Sequence, residues 1–180
     1  PTEGMVYYDS QTKQLLTYAN GKWQADRSTA TRIVATSASG GASSAVASQN
    51  PDGADYVNTS TTSAQTVINN AINSLPADGG SVYLAEGTYI IDGSIVVPSN
   101  VTLTGAGPGT IIKLKNAINT DFKAITNFNT TSAGDERITI SNLRLDGNKG
   151  NNTSGNQYGI WFNYLSARGV GKAGSLVTNV

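Results

Sequence analysis

With no His and no Cys among its 180 residues, the chain has carboxylates, amines, hydroxyls and aromatic rings available for chemistry. A Cys nucleophile, a Ser-His-Asp triad, a His or Cys zinc site and a disulfide framework are all removed. Glycoside hydrolysis stays open, and it asks for two carboxyl groups flanking the bond, about 5 Å apart for retention or roughly 6.5 to 9.5 Å for inversion. Asp135 and Glu136 are adjacent acids in the strand-rich part of the sequence, with Asp146 and Asp92 farther away. Each also has a plain structural reading: Asp135-Glu136-Arg137 suits a solvated turn ahead of a strand, and Asp146 precedes Gly147, where turn chemistry favours Asp. Arg144, two residues before Asp146, is placed as a lyase would want a base beside a carboxylate-bound Ca²⁺. One Arg and one Asp fall short of the six to eight oxygens that ion takes, so no metal site and no cofactor are assigned. Tyr158, Trp161 and Tyr164 offer flat faces for sugar rings, although the alternation in 158–162 also suits a strand that keeps some of these rings in its core.

Lys plus Arg and Asp plus Glu number 12 each, so no basic field is available to hold phosphates and nucleic-acid binding is not expected. No apolar run approaches the length that crosses a bilayer, so membrane insertion is not expected either. Charged residues make up 13% and Gly numbers 20, with Asn, Thr and Ser abundant, which favours a turn-rich β protein over a helical bundle.

The elements that must position these groups announce themselves by a recurrence. Ser99-Asn100-Val101-Thr102-Leu103-Thr104-Gly105 returns as Ser141-Asn142-Leu143-Arg144-Leu145-Asp146-Gly147, 42 positions later. Self-similarity at a fixed spacing marks a stacked solenoid, and this spacing suits two coils of about 21 residues, each adding a rung roughly 4.8 Å along a parallel β-helix. One coil below Val101 and Leu103 the spacing expects Val82 and Leu84; one coil above, Phe122, Ala124 and Ile125 fit more loosely. Rung strands are read at 81–84, 88–91, 94–97, 101–103, 110–114, 138–140, 143–145 and 158–162, with an indistinct stretch at 122–128. Segments 115–136 and 147–157 swell beyond the coil, as loops on a solenoid's binding face do. Four or five rungs give a stack about 20 to 25 Å tall.

Before the rungs, Val67, Ile68, Ala71, Ile72 and Leu75 recur at helical spacing behind a Ser or Thr N-cap. A helix there would cover the open lower end of the stack. Residues 1–27 read as three short strands with Asn20-Gly21 as a hairpin turn. So small a meander is marginal alone, and Tyr7, Tyr8, Tyr18 and Trp23 are expected to find cover against copies of the same segment. The domains are therefore 1–27 meander, 28–53 an Ala- and Ser-rich connector that contains a possible strand at 32–35 and a possible helix at 41–48, and 54–180 the capped start of the solenoid. Val177-Thr178-Asn179-Val180 reads as the start of another strand, so the stretch is expected to be part of a longer protein.

Ala54-Asp55-Tyr56-Val57, the helix at 63–75 and the run from Pro76 through Gly79-Gly80-Ser81-Val82-Tyr83-Leu84 to Gly87-Thr88-Tyr89 resemble the N-terminal part of pectate-lyase-like proteins, phage tailspikes and receptor-binding proteins above all. The first segment is similar to small β modules near the start of phage tail and head fibres. This resemblance implies a mainly all-β chain: a right-handed single-stranded parallel β-helix with an N-terminal capping α-helix, preceded by a β-meander. It implies a virion-borne, extracellular homotrimer that contacts phage tail or neck proteins and, through the rest of the protein, host surface carbohydrate. Polysaccharide grooves of such proteins lie along a longer helix, so an active groove is expected outside this stretch. The rival expectations are a secreted polysaccharide lyase or epimerase, and a non-enzymatic capsid decoration or head fibre.

Overall fold

The computed structural model describes residues 1–10, 14–19, 21–25, 30–36, 54–59, 61–129, 134–163, 165 and 174–180. The helix expected at 41–48 and the ring of Tyr164 lie outside these residues. Strands β1 (Val6–Asp9), β2 (Gln14–Ala19) and β3 (Lys22–Ala25) form an antiparallel meander of their own. Its register pairs Tyr7 with Leu16, Tyr8 with Leu15 and Tyr18 with Trp23. Because strand side chains alternate in direction, Tyr7, Tyr18 and Trp23 share one face while Tyr8 stands on the other with Val6 and Leu15. The four aromatics thus divide between two surfaces.

Among the described residues every other strand pairing is parallel. Consecutive strands β6 (Gly80–Leu84), β7 (Gly87–Ile91) and β8 (Ile95–Val97) join three different sheets, and the chain then returns to the first. A second circuit is β9 (Val101–Gly105), β10 (Thr110–Leu114) and β11 (Phe122–Asn127); a third is β12 (Thr139–Ser141), β13 (Arg144–Asp146) and β14 (Gln157–Trp161). Below β6 the first sheet continues through β4 (Thr31–Thr36) to β5 (Tyr56–Asn58), and above β12 it ends at β15 (Leu176–Thr178). Among the described residues, stacked parallel circuits of strands with one short helix are consistent with a pectate-lyase-like β-helix. Alternation supplies the core: Val82, Leu84, Tyr89, Ile91, Ile95, Leu103, Ile112 and Ile140 are all fully buried in one cluster. The large polar atom in that core is satisfied, since the Tyr89 hydroxyl donates to the carbonyls of Val34 (2.9 Å) and Ala85 (3.0 Å). Burial pushes its ionisation well above the ordinary tyrosine range.

The 42-residue recurrence does not mark one strand seen two coils later. Val101 to Gly105 form β9 in the first sheet, whereas Leu143 leads into β13 in the second, beside β10. The two segments share a turn conformation at different corners: Asn100, between the third and first sheets, and Asn142, between the first and second, both adopt positive φ, 65° and 53°, and each turns the chain into a strand. Val101 and Leu143 nonetheless face the same core. Coil length is variable: Gly80 pairs with Val101, 21 residues on, but Thr102 pairs with Thr139, 37 residues on. Corner loops absorb the difference and leave the rung strands in register.

Helix α1 (Ala64–Asn73) buries Ala64, Ile68, Ala71 and Ile72 against the lower end of the core. The expected N-cap is absent at Ser63, whose hydroxyl donates to Asp92 (3.2 Å) in the corner after β7. Side-chain amides on α1 bond the lower edge of β8, which pairs with no lower strand among the described residues. Asn69 donates to the Ser94 carbonyl (3.0 Å) and accepts the Val96 N–H (3.0 Å), and Gln65 likewise donates to the Asp92 carboxylate (2.8 Å) and accepts its N–H (3.2 Å). Arg32 on β4 donates to the Ser74 hydroxyl (2.8 Å) and carbonyl (2.7 Å) at the helix end.

Candidate carbohydrate-contact surface

The acidic residues singled out by sequence are engaged in corners. Asp135 is 1% exposed, and its carboxylate accepts from the Ser99 N–H (3.1 Å) and hydroxyl (2.9 Å), the Asn127 amide (2.9 Å), and both the backbone N–H and side-chain amide of Asn129. Burial opposes its ionisation, but these hydrogen bonds outweigh burial and hold the group below the ordinary carboxylate range. Glu136 meets the Arg137 guanidinium at 2.9 Å. Asp146 accepts the Asn148 N–H at 2.8 Å, a local turn closure, and stands 3.6 Å from the Lys113 ammonium. Among the described residues no three acidic side chains converge as a cation cage.

Tyr158 and Trp161 come together on the outer side of the third sheet. Strict alternation would send residues three apart to opposite faces. In β11, however, Ala124 and Ile125 are consecutive and both buried, and β14 follows the same course above it, pairing Lys123 with Tyr158, Ile125 with Ile160 and Thr126 with Trp161. A Cβ on Gly159 would reach 3.0 Å from Leu145, so that position points inward, as does Ile160 against the core. The two inward positions in succession return Tyr158 and Trp161 to one side. Their rings meet edge to face with centroids 4.7 Å apart, and the Lys123 ammonium lies 4.8 Å from the centre of the Trp161 ring. Trp161 keeps 37% of its surface exposed. A cavity of about 180 Å³ lies between the second and third sheets against the inward-facing Ile112, Leu114, Ala124 and Leu145, and the backbone passes it at Asp146 and Tyr158.

The sequence indicated swollen loops here but not the bonds that tie them to each other. The corner loops 115–121 and 147–156 are cross-linked by amides: Asn148 donates to the Leu114 carbonyl (2.9 Å) and to Asn116 (2.7 Å), and Asn152 accepts the Ile118 N–H (2.7 Å). Asn119 accepts the Thr153 N–H (2.9 Å), and Asp121 that of Asn156 (2.9 Å). The signal was there as Asn density between 148 and 156, but that composition also reads as a loose loop. An exposed indole, a phenol and an ammonium beside amide-linked loops are groups of the kind that can stack on and hydrogen-bond a polyhydroxylated ligand.

Comparison with known proteins places these features in context. The family model for rhamnogalacturonase A/epimerase, pectate lyase-like, matches residues 52–160. Mannuronan C5-epimerase AlgE5 of Azotobacter vinelandii is 40% identical over 97 residues, 48% of this chain and 9% of that protein. The pre-neck appendage protein of Bacillus phage phi29 is 38% identical over 71 residues, 39% of this chain and 8% of that protein. The solved structure of Geobacillus virus E2 ORF18 superposes with a TM-score of 0.48 at 22% identity, over 89% of this chain and 32% of that one. The chain therefore spans under a tenth of the length of these two curated relatives.

Proposed function

This chain belongs to the rhamnogalacturonase A/epimerase, pectate lyase-like family, and from that premise we propose that it is the base of a phage adsorption appendage. In this reading the stacked circuits close into a right-handed β-helix capped below by α1. Residues 1–27 associate three copies and attach them to tail or neck proteins, and the helix presents the Tyr158/Trp161 surface to host carbohydrate outside the cell. The observation that carries the reading is the 38% identity to a phage pre-neck appendage protein across 71 residues. The exposed Trp161 ring beside Lys123 supports the carbohydrate part. The test is the mass of the purified chain in solution together with its retention on host cells. Three chain masses and a retention weakened about tenfold by Trp161→Ala, the loss of roughly 1.4 kcal/mol of contact, are expected. A monomer that host cells do not retain sinks the reading.

A second reading is favoured by the 40% identity to a mannuronan C5-epimerase, with the Asp146 carboxylate beside the Lys113 ammonium as its candidate acid. In it the protein acts on a polyuronate. Incubation with such a polymer, followed by NMR for inverted residues or new unsaturated ends, decides it. Turnover that disappears in Asp146→Asn replaces the binding role with catalysis.

A further inference from the structure

From β6 upward the first sheet grows in chain order: β9 lies directly on β6, β12 on β9 and β15 on β12. Its lower end breaks that order. β5 and β6 are consecutive strands joined through α1, yet they do not pair, and β4 from farther back in the chain stands between them. Two strand spacings, about 9.6 Å, therefore separate β5 from β6 and leave a slot one strand wide. Both edges of the slot are fitted to its occupant. Thr31 to Val34 pair with Ser81 to Leu84 on one side, and Val34 to Thr36 pair with Tyr56 to Asn58 on the other. The Ser81 N–H donates to the Ala30 carbonyl (2.7 Å). Asp55 brackets Ile33, donating its N–H to the Ile33 carbonyl (2.8 Å) and accepting the Ile33 N–H on its carboxylate (2.8 Å). Side chains add to the fit. Val34 is fully buried in the core, Arg32 reaches the Ser74 hydroxyl and carbonyl at the end of α1, and Ala35 is fully buried on the opposite side with Ala54 and Ala85.

We propose that this slot is a strand-binding site and that residues 30–36 occupy it as a separable ligand, so that the meander is held to the stack by strand addition and not only by the continuity of the chain. Among the described residues the meander pairs with no strand of the stack, and β4 is the element that joins the two. The acceptor has support that does not pass through β4. Strand β6 is paired along its whole length with β9, and α1 is tied to β8 and to the corner after β7 by Asn69 and Gln65. An empty slot would expose two unpaired strand edges and remove the Val34 carbonyl that accepts from the buried Tyr89 hydroxyl. Affinity for the strand thus comes from main-chain bonds, and preference among strands comes from the side-chain fit. The ligand must run parallel to β5 and β6 and present an apolar residue to the core where Val34 does. It needs an Arg two residues earlier to meet Ser74, and a small residue just after to fit beside Ala54 and Ala85. Arg32-Ile33-Val34-Ala35 meets each condition.

The test keeps the full chain and cuts it after folding. A protease recognition sequence replaces residues 43–48, the folded chain is cut there, and the two pieces are followed by size-exclusion chromatography with a fluorescent peptide of residues 28–38 as the probe. The pieces are expected to stay together until a large excess of peptide releases the N-terminal piece and enters the remainder, one per chain. A peptide carrying Arg32→Ala should compete about tenfold more weakly, and one carrying Val34→Asp should not compete. The Ser81 and Asp55 amides, whose acceptors lie on β4, should stay protected from exchange in the peptide complex. Pieces that separate as soon as the chain is cut overturn the proposal, because the strand then keeps its place only by being tethered. Pieces that stay together and take up no peptide, even after partial unfolding in urea and return to buffer, overturn it too, because the strand is then inseparable from the fold. Peptide uptake that leaves Ser81 and Asp55 exchanging freely puts the peptide elsewhere and also overturns it.

Discussion

Asp135 is a carboxylate buried at a corner and surrounded by donors. Ser99 reaches it from the turn before β9, and Asn127 and Asn129 from the end of β11. Asn127 in turn accepts the Asn163 N–H (2.8 Å) and donates to its carbonyl (2.7 Å), so one charge organises three successive circuits. Asp135→Ala leaves these donors without a partner and is expected to destabilise the fold by about 3 kcal/mol in urea titration. The pH dependence follows from the direction of its shift. The folded state holds Asp135 below its unfolded value of 3.8, so its stabilisation is complete above that value and is lost as pH falls from there toward the folded pKa. Urea midpoints measured between pH 5 and pH 2.5 are expected to fall less steeply in Asp135→Asn than in the wild type. Asp135 was legible as an acid before a strand, but its enclosure was not, because Ser99 and Asn127 come from other circuits.

Elements in this fold are held by what replaces a missing neighbour. Among the described residues no strand pairs beneath β8, and the Asn69 side chain on α1 donates to Ser94 and accepts from Val96 there. Asn69→Leu keeps the helix but strands both backbone groups, at a cost of about 2 kcal/mol. Amide exchange should accelerate at Val96 and be unchanged at Leu103, whose strand is paired on both sides. The Gly79-Gly80 pair is explained by close approach. At φ 92° a Cβ on Gly79 would meet the Asn100 carbonyl at 2.2 Å, and at φ 155° one on Gly80 would meet the Ala30 carbonyl at 2.1 Å. Gly80→Ala therefore pushes β4 from β6 and is expected to lower the thermal midpoint more than Gly150→Ala, whose Cβ meets nothing within 4 Å. The helix and most rung strands were legible because each carries its own periodicity, 3.6 or 2, within one segment. The reading of 99–105 and 141–147 as equivalent positions two coils apart failed because Asn at positive φ serves any corner, and the Tyr158/Trp161 pairing was hidden by two successive inward residues that alternation does not anticipate.

At the scale of the molecule, parallel circuits stacked on a cap give each strand support from the one below and the one above. Such quasi-linear stacks have stability made of neighbour terms, so an end opens before the middle. The lower end is closed by α1, which buries Ile68 and Ile72 and ties Ser94, Val96 and Asp92 with side-chain amides. The upper end carries β15, paired on one side with β12, with Leu176 55% and Val177 45% exposed. Native-state hydrogen exchange is therefore expected to be slowest at β6 and β9, intermediate at β12 and fastest at β15. A single uniform opening free energy across β6, β9, β12 and β15 would mean that the circuits unfold as one cooperative block. In that case a longer stack would gain nothing from its neighbours beyond the cap. A graded profile means instead that each added circuit protects the one beneath it, so residues placed above β15 would slow its exchange toward the rate of β12.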